Sequence, residues 1–181
     1  MLKYYFIFIF IILFSNTHAS NKEKIIMNLL NTENLNFKFE QNINGKIENG
    51  NCTIQYPKKI NCKYIKNNKI LVSNGKSLVI KTKNSFYRYP LKKTSLNLIL
   101  DKKFLIKKIG NLKEQTLDKP YINFEIVEND IEINIFFDDK TFNLIGWQTK
   151  DIYQNINVTY LFSIQVNQQV NKDLFKLPVQ N

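Results

Sequence analysis

Apolar and polar positions alternate with period two along most of this chain. Leu35, Phe37 and Phe39 alternate with Asn36, Lys38 and Glu40, as a strand with one buried face requires. Just before it, residues 22–31 place Ile25, Ile26, Leu29 and Leu30 at the spacing of one helical face, which predicts a short amphipathic helix. Gly45, Asn49-Gly50, Pro57, Asn67-Asn68 and Asn74-Gly75 then punctuate the chain. Between them, residues 52–56, 60–65, 70–73, 77–82 and 85–89 read as a meander of hairpins. Asn74-Gly75 is the clearest turn, because both residues tolerate positive φ.

The period changes after residue 89. Thr94 or Ser95 is placed to cap a helix over 96–100, and Asp101 to cap a second over 102–109, with Gly110 at its stop. Strands resume at 121–127, 131–137, 142–148 and 157–166, so two short helices separate two sheet halves. Ile131, Ile133, Ile135 and Phe137 share one face of their strand, and Asp130, Glu132 and Asn134 the other. The prediction is a mainly β (α+β) fold: a strongly curved antiparallel sheet of about ten strands, with short helices over its apolar face. That face is either a packed core or a groove for an apolar ligand with the helices as its lid.

The first 19 residues follow another logic. Lys3 precedes an apolar run over residues 4–14, and Thr17 and Ala19 stand where a signal peptidase needs small residues. A run of this length is too short to span about 30 Å of hydrocarbon. Residues 1–19 therefore read as a secretory leader and 20–181 as one domain. No cysteine precedes Cys52, so the leader is not of the type that acylates a lipoprotein, and the exported chain is expected to be soluble.

Composition removes most chemistry. The 181 residues carry 26 basic and 15 acidic side chains, two cysteines, five glycines and a single histidine, His18. With the leader gone no imidazole remains, which excludes Ser-His-Asp and Cys-His catalysis and His-containing zinc sites. Two cysteines make no four-cysteine metal site, and no glycine-rich phosphate loop is present. Asp138 and Asp139 point to opposite sides of a strand and form no acid/base pair. No enzyme, cofactor or metal is expected. Every basic residue but Arg88 is Lys, as an AT-rich coding bias produces. With the lysines read as scattered among acids and Asn, the charge points away from nucleic acid, which favours Arg forks and a basic stripe, and stays compatible with an anionic membrane surface or an acidic protein partner.

Several local motifs, in collinear order, resemble the LolA family of periplasmic lipoprotein carriers. They are Phe39-Glu40-Gln41; Gly50 followed by Tyr56-Pro57-Lys58, Ile60, Cys62 and Tyr64; Leu71-Val72-Ser73-Asn74-Gly75-Lys76-Ser77-Leu78; Leu91, Thr94, Leu96 and Leu100; and Phe175 with Pro178. The resemblance implies an unclosed antiparallel barrel whose concave face, lidded by helices, accepts the acyl chains of a lipoprotein. Its lining would include Phe37, Phe39, Ile54, Tyr56, Ile60, Tyr64, Ile133 and Ile135, with Phe104 and Leu105 from the lid. Trp147 suits core or groove rim equally. Implied partners are acylated lipoprotein cargo, an inner-membrane ABC-type release complex and an outer-membrane acceptor, served by a periplasmic monomer. Tyr56 stands where well-known members carry an Arg that couples lid to sheet, so that latch does not carry over; the tyrosine either packs or donates a hydrogen bond to a lid carbonyl.

Cys52 and Cys62 flank the Pro57 turn. An odd loop over 56–58 makes them face each other beside Ile54 and Ile60, which predicts a cross-strand disulfide, two free buried thiols being the alternative. Two further roles compete with the carrier: a LolA-like envelope sensor or acceptor, and a secreted binder of small lipids. N-terminal sequencing of the exported protein is expected to begin at Ser20, and a chain still starting at Met1 overturns the leader.

Overall fold

A computed structural model describes residues 19–66, 68–112, 120–150 and 154–180. All of the proposed leader except Ala19 lies outside them. Helix α1 (Asn21–Asn31) opens on a capping box: the Ser20 side chain accepts from Glu23 N–H, and the Glu23 carboxylate accepts from Ser20 N–H. Ile25 and Leu29 are buried beneath it, whereas Leu30 is 51% exposed. The buried stripe is thus narrower than the four-residue face read from spacing.

Ten strands follow in one antiparallel sheet. They are β1 (Asn34–Ile43), β2 (Lys46–Gln55), β3 (Lys59–Tyr64), β4 (Ile70–Asn74), β5 (Ser77–Lys81), β6 (Phe86–Pro90), β7 (Tyr121–Glu128), β8 (Ile131–Asp138), β9 (Leu144–Lys150) and β10 (Ile156–Val166). Their spatial order is β6-β5-β4-β3-β2-β1-β10-β9-β8-β7. Two sequential meanders therefore meet along β1 and β10, and β6 and β7 remain as open edges. The sheet curves without closing into a barrel. Asn74-Gly75 turns as its sequence demands: Gly75 has φ +95°, and Asn74 Oδ1 accepts from Lys76 and Ser77 N–H.

Between the edge strands run a 3-10 helix (Leu91–Lys93), α2 (Leu96–Ile99) and α3 (Lys102–Asn111). Asp101 caps α3 by accepting from Phe104 N–H. Ser95 makes no capping bond to α2, and Thr94 instead donates to Leu91 O. Gly110 does not stop α3, which continues to Asn111 and leaves through an extended Leu112. Helices α1 and α3 lie antiparallel, each capping the other. Lys22 Nζ donates to the Gly110 and Leu112 carbonyls, and Lys102 Nζ to those of Leu30 and Thr32, so each lysine charge meets the negative end of its partner's dipole.

The core lies between these helices and the concave face. Phe37, Ile54, Leu105, Ile109, Phe124, Ile133, Ile135 and Phe137 belong to one buried cluster. The convex face is not wholly wet, because Phe136 is buried there between Tyr121 and Tyr160, over Gly146. A closing 3-10 helix (Lys172–Phe175) lies on β3 and β4, held by Asn61 Nδ2 donating to Leu174 O.

The β2–β3 register pairs Gln55 with Lys59 and Cys52 with Cys62. A disulfide joins the two cysteines, whose Cα atoms are 4.1 Å apart. Unreduced protein is expected to show no alkylatable thiol, and the double change Cys52→Ala/Cys62→Ala to cost about 2–3 kcal/mol, the value for so short a loop. Gly50 offers a second check. A Cβ there would sit 2.3 Å from Lys63 O and 2.6 Å from the Phe39 ring. Neither sheet backbone nor a buried ring yields readily, so Gly50→Ala is expected to lower stability in urea by about 1–3 kcal/mol.

Candidate functional site

The helices cover only part of the concave face. Where α2 and its preceding turn end, a cavity of about 750 Å³ remains. One wall comes from β1 to β6 through Phe39, Ile60, the Cys52–Cys62 disulfide, Tyr64, Leu71, Leu78, Ile80 and Tyr89. The facing wall comes from β8 to β10 through Ile131, Trp147, Thr149 and Thr159, and residues 93–96 form the roof. Strand alternation explains the apolar side, because Leu71 pairs with Ile80 and Leu78 with Tyr89, which turns all four to the same face.

The floor is polar and hydrogen-bonded within itself at Tyr64, Gln41 and Thr159, while Oδ1 of Asn157, another lining residue, is buried without a partner among the described residues. Tyr64 Oη donates to Gln41 Oε1 at 3.0 Å, and Gln41 Nε2 donates to Thr159 Oγ1 at 3.1 Å. The Tyr64 ring meets Phe39 edge-on at 5.0 Å and carries Lys69 Nζ over its face at 3.9 Å. Burial, with the Glu48 charge behind it, pushes the Tyr64 phenol above its ordinary range, so it stays a neutral donor. Burial also opposes ionisation of Glu48, but hydrogen bonds and charge from Lys69 and Lys46 outweigh it and hold the carboxyl below its usual range. At the rim, Lys150 Nζ pairs with Glu132 Oε2 at 2.6 Å.

Of the ten positions expected to line an acyl groove, the cavity brings together Phe39, Ile60 and Tyr64. Phe37, Ile54, Ile133 and Ile135 lie on the same concave side but are sealed in the core with Leu105 of α3, and Phe104 is half-buried at its margin. Tyr56 packs against this core with its hydroxyl buried and without a hydrogen-bond partner among the described residues. It therefore donates nothing to the lid. The neighbouring Lys58 makes the connection instead: its N–H donates to Leu100 O at 2.9 Å, and its ammonium pairs with Asp101 at 3.2 Å.

Sequence reasoning missed Leu71, Leu78, Ile80 and Tyr89. In β4 and β5 both faces are apolar, since Val72 and Val79 are buried outside the concave core, and a pattern without alternation does not say which face is the wall. Trp147, equally suited to core or rim, serves both: it is buried edge-on against Phe37 and also lines the cavity. Asp138 organises a turn, its Oδ1 accepting from Lys140 and Thr141 N–H.

Residues 31–178 match the family model described as outer membrane lipoprotein carrier protein LolA. Among solved structures, the chain is similar to a LolA superfamily protein from Nitrosomonas europaea at 7% identity, covering 87% of this chain and 99% of that one, with a TM-score of 0.45. An uncharacterized conserved protein from Thermus thermophilus is 8% identical over 87% of this chain and 92% of its own, with a TM-score of 0.51. LprF from Mycobacterium bovis is 10% identical over 84% and 96%, with a TM-score of 0.43. The Thermus likeness shows a shared fold. No curated protein matches the sequence. Because the family match covers most of the chain and the open, lidded sheet agrees with it, this protein belongs to the LolA family.

Proposed function

We propose that the protein is an exported, monomeric carrier of acylated cargo. In this reading its cavity shields acyl chains of a lipoprotein that an ABC-type complex releases from the inner membrane. It hands them across the periplasm to an outer-membrane acceptor and catalyses no reaction. The supporting observation is the cavity itself, apolar along its walls, open at its rim, and set on the concave face of a LolA-family sheet. An acyl chain is methylene along its length and ends in ester or amide carbonyls, so greasy walls and a polar rim suit both of its parts.

Magnitudes shape the mechanism. Three acyl chains carry on the order of 40 methylenes at about 0.8 kcal/mol each, while non-covalent affinity saturates near 20 kcal/mol. Complete burial would trap the cargo. Volume points the same way: if a methylene takes about 30 Å³, the share of a water molecule in the liquid, a cavity of about 750 Å³ holds one or two chains. A triacylated cargo is thus held partly in the cavity and partly under a displaced lid. The same volume favours a second reading, a binder of one- or two-chain lipids without lipoprotein transfer.

Native mass spectrometry of protein purified from a lipoprotein-producing host separates these. The carrier is expected to bring an acylated protein with a mass of kilodaltons, whereas a free lipid as the bound species overturns transfer and supports the second reading. The half-buried Leu71 provides the site control. Leu71→Asp puts a carboxylate into the wall and is expected to weaken uptake of a fluorescent acyl probe roughly ten-fold or more. Unchanged uptake by a folded variant removes this cavity as the site.

A further inference from the structure

The sequence reading takes the lysines as scattered among acids, so that the positive excess describes the whole surface. Placed on the fold, they are not scattered. Residues 49–100 carry eleven basic side chains and no acidic one, while the rest of the chain holds fifteen of each sign. This segment forms β3 to β6 and the first part of the lid, and those four strands stand side by side at one end of the sheet. Glu48 and Asp101, from outside the segment, pair with its Lys69 and Lys58, and the remaining positive excess belongs to that end.

Its outermost strand is also aromatic. On β6, Tyr87 and Tyr89 are 52% and 43% exposed, with rings stacked 6.4 Å apart at 13°. They pair with Ile80 and Leu78 and so stand on the concave side, where Tyr89 and Lys93 border the cavity. Lys92 and Lys93 are exposed in the turn that follows, whereas Arg88 pairs with Val79, donates to Ser77 Oγ and so stands on the opposite, convex face. Neither lysine pairs with a carboxylate among the described residues.

Exposed tyrosines beside unpaired cations match the headgroup layer of a bilayer, which accepts an amphipathic ring with its hydroxyl in water and attracts basic side chains through anionic lipids. We propose that the β6 edge and the turn after it, through Tyr87, Tyr89, Lys92 and Lys93, dock on an anionic membrane surface and set the cavity mouth against the headgroups. The cavity beside this edge favours that occupant over an acidic protein or a nucleic acid, because a chamber with apolar walls has a use against a lipid surface and none against a polyanion. Docking goes beyond the carrier reading, since it requires no cargo.

The test is co-sedimentation of the protein, without its leader, with phosphatidylcholine vesicles and with vesicles that also contain phosphatidylglycerol. Binding is expected to the anionic vesicles alone and to weaken with salt. Lys92→Glu/Lys93→Glu is expected to lower partitioning roughly ten-fold or more, since each basic residue near such a surface contributes about five-fold. Tyr87→Ser/Tyr89→Ser is expected to lower it with the salt dependence kept, its fold checked by circular dichroism. Lys103→Glu/Lys107→Glu changes the net charge equally on exposed α3 positions and is expected to leave binding in place. Equal losses from the two lysine pairs, no binding to anionic vesicles, or binding to a polyanion such as duplex DNA but not to vesicles would each overturn the proposal. Vesicle binding by a protein that takes up no acyl probe would uphold docking and discard the carrier.

Discussion

The ladder between β1 and β10 makes one sheet out of two. Each meander pairs locally, strand to next strand, but Leu35 with Val166 and Ile43 with Asn157 are joined across more than a hundred residues. The entropy of closing so long a loop grows slowly with its length, yet it must be met before any pair forms. Polar side chains fix the far end of this ladder. Asn34 and Gln168 exchange side-chain and backbone hydrogen bonds, while Asn167 accepts from Glu33 N–H and donates to Asn31 O. The end of α1, the start of β1 and the end of β10 are thereby held at one point. The resulting register places Phe39 opposite Leu161, both in the concave core.

The lid inherits its unequal strength from this frame. Over the core, α3 buries Leu105 and Ile109 completely and exchanges lysine caps with α1. Lys58 ties the Leu100–Asp101 junction to the β2–β3 turn. Beyond that junction the cover consists of a three-residue 3-10 helix and the four residues of α2, neither with a side-chain N-cap. Short helices of this kind contribute little of their own stability. Leu91, Leu98 and Ile99 nevertheless bury this cover in the same core, so it is packing and not helix stability that holds it over the sheet.

Most of this architecture was legible because its elements are strongly periodic. The alternation of Leu35, Phe37 and Phe39 gave β1, Asn74-Gly75 gave the β4–β5 hairpin, and the three-residue turn around Pro57 gave the register that brings Cys52 to Cys62. The site was less legible for geometric reasons. Alternation assigns a side chain to a face but does not say where along that face a helix ends, so Ile133 and Ile135 share a side with Phe39 yet lie beneath the helices instead of at the cavity. β4 and β5 are buried on both faces, which erased the signal for Leu71 and Leu78. The charged edge was open to view in the sequence, but an average over the chain hid a segment without a single acid.

The cavity is not a fault in the packing. Interiors are filled to the density of organic crystals, and voids much larger than a water molecule are few. An unfilled apolar space of about 750 Å³ inside a core would forfeit dispersion contacts all along its lining. Here the neighbouring core is densely closed, with Ile54, Leu105, Ile133, Ile135 and Phe137 fully buried, so the sequence fills space well where it needs to. The unfilled region coincides with the change from a purely apolar lining to the hydrogen-bonded floor of Gln41, Tyr64 and Thr159. Those three groups are paired with one another without any ligand, which leaves Asn157 Oδ1 as the buried lining atom still open to a donor from water or guest. An apolar guest therefore displaces water from the floor at little cost there, which is the balance a site needs if it must both fill and empty.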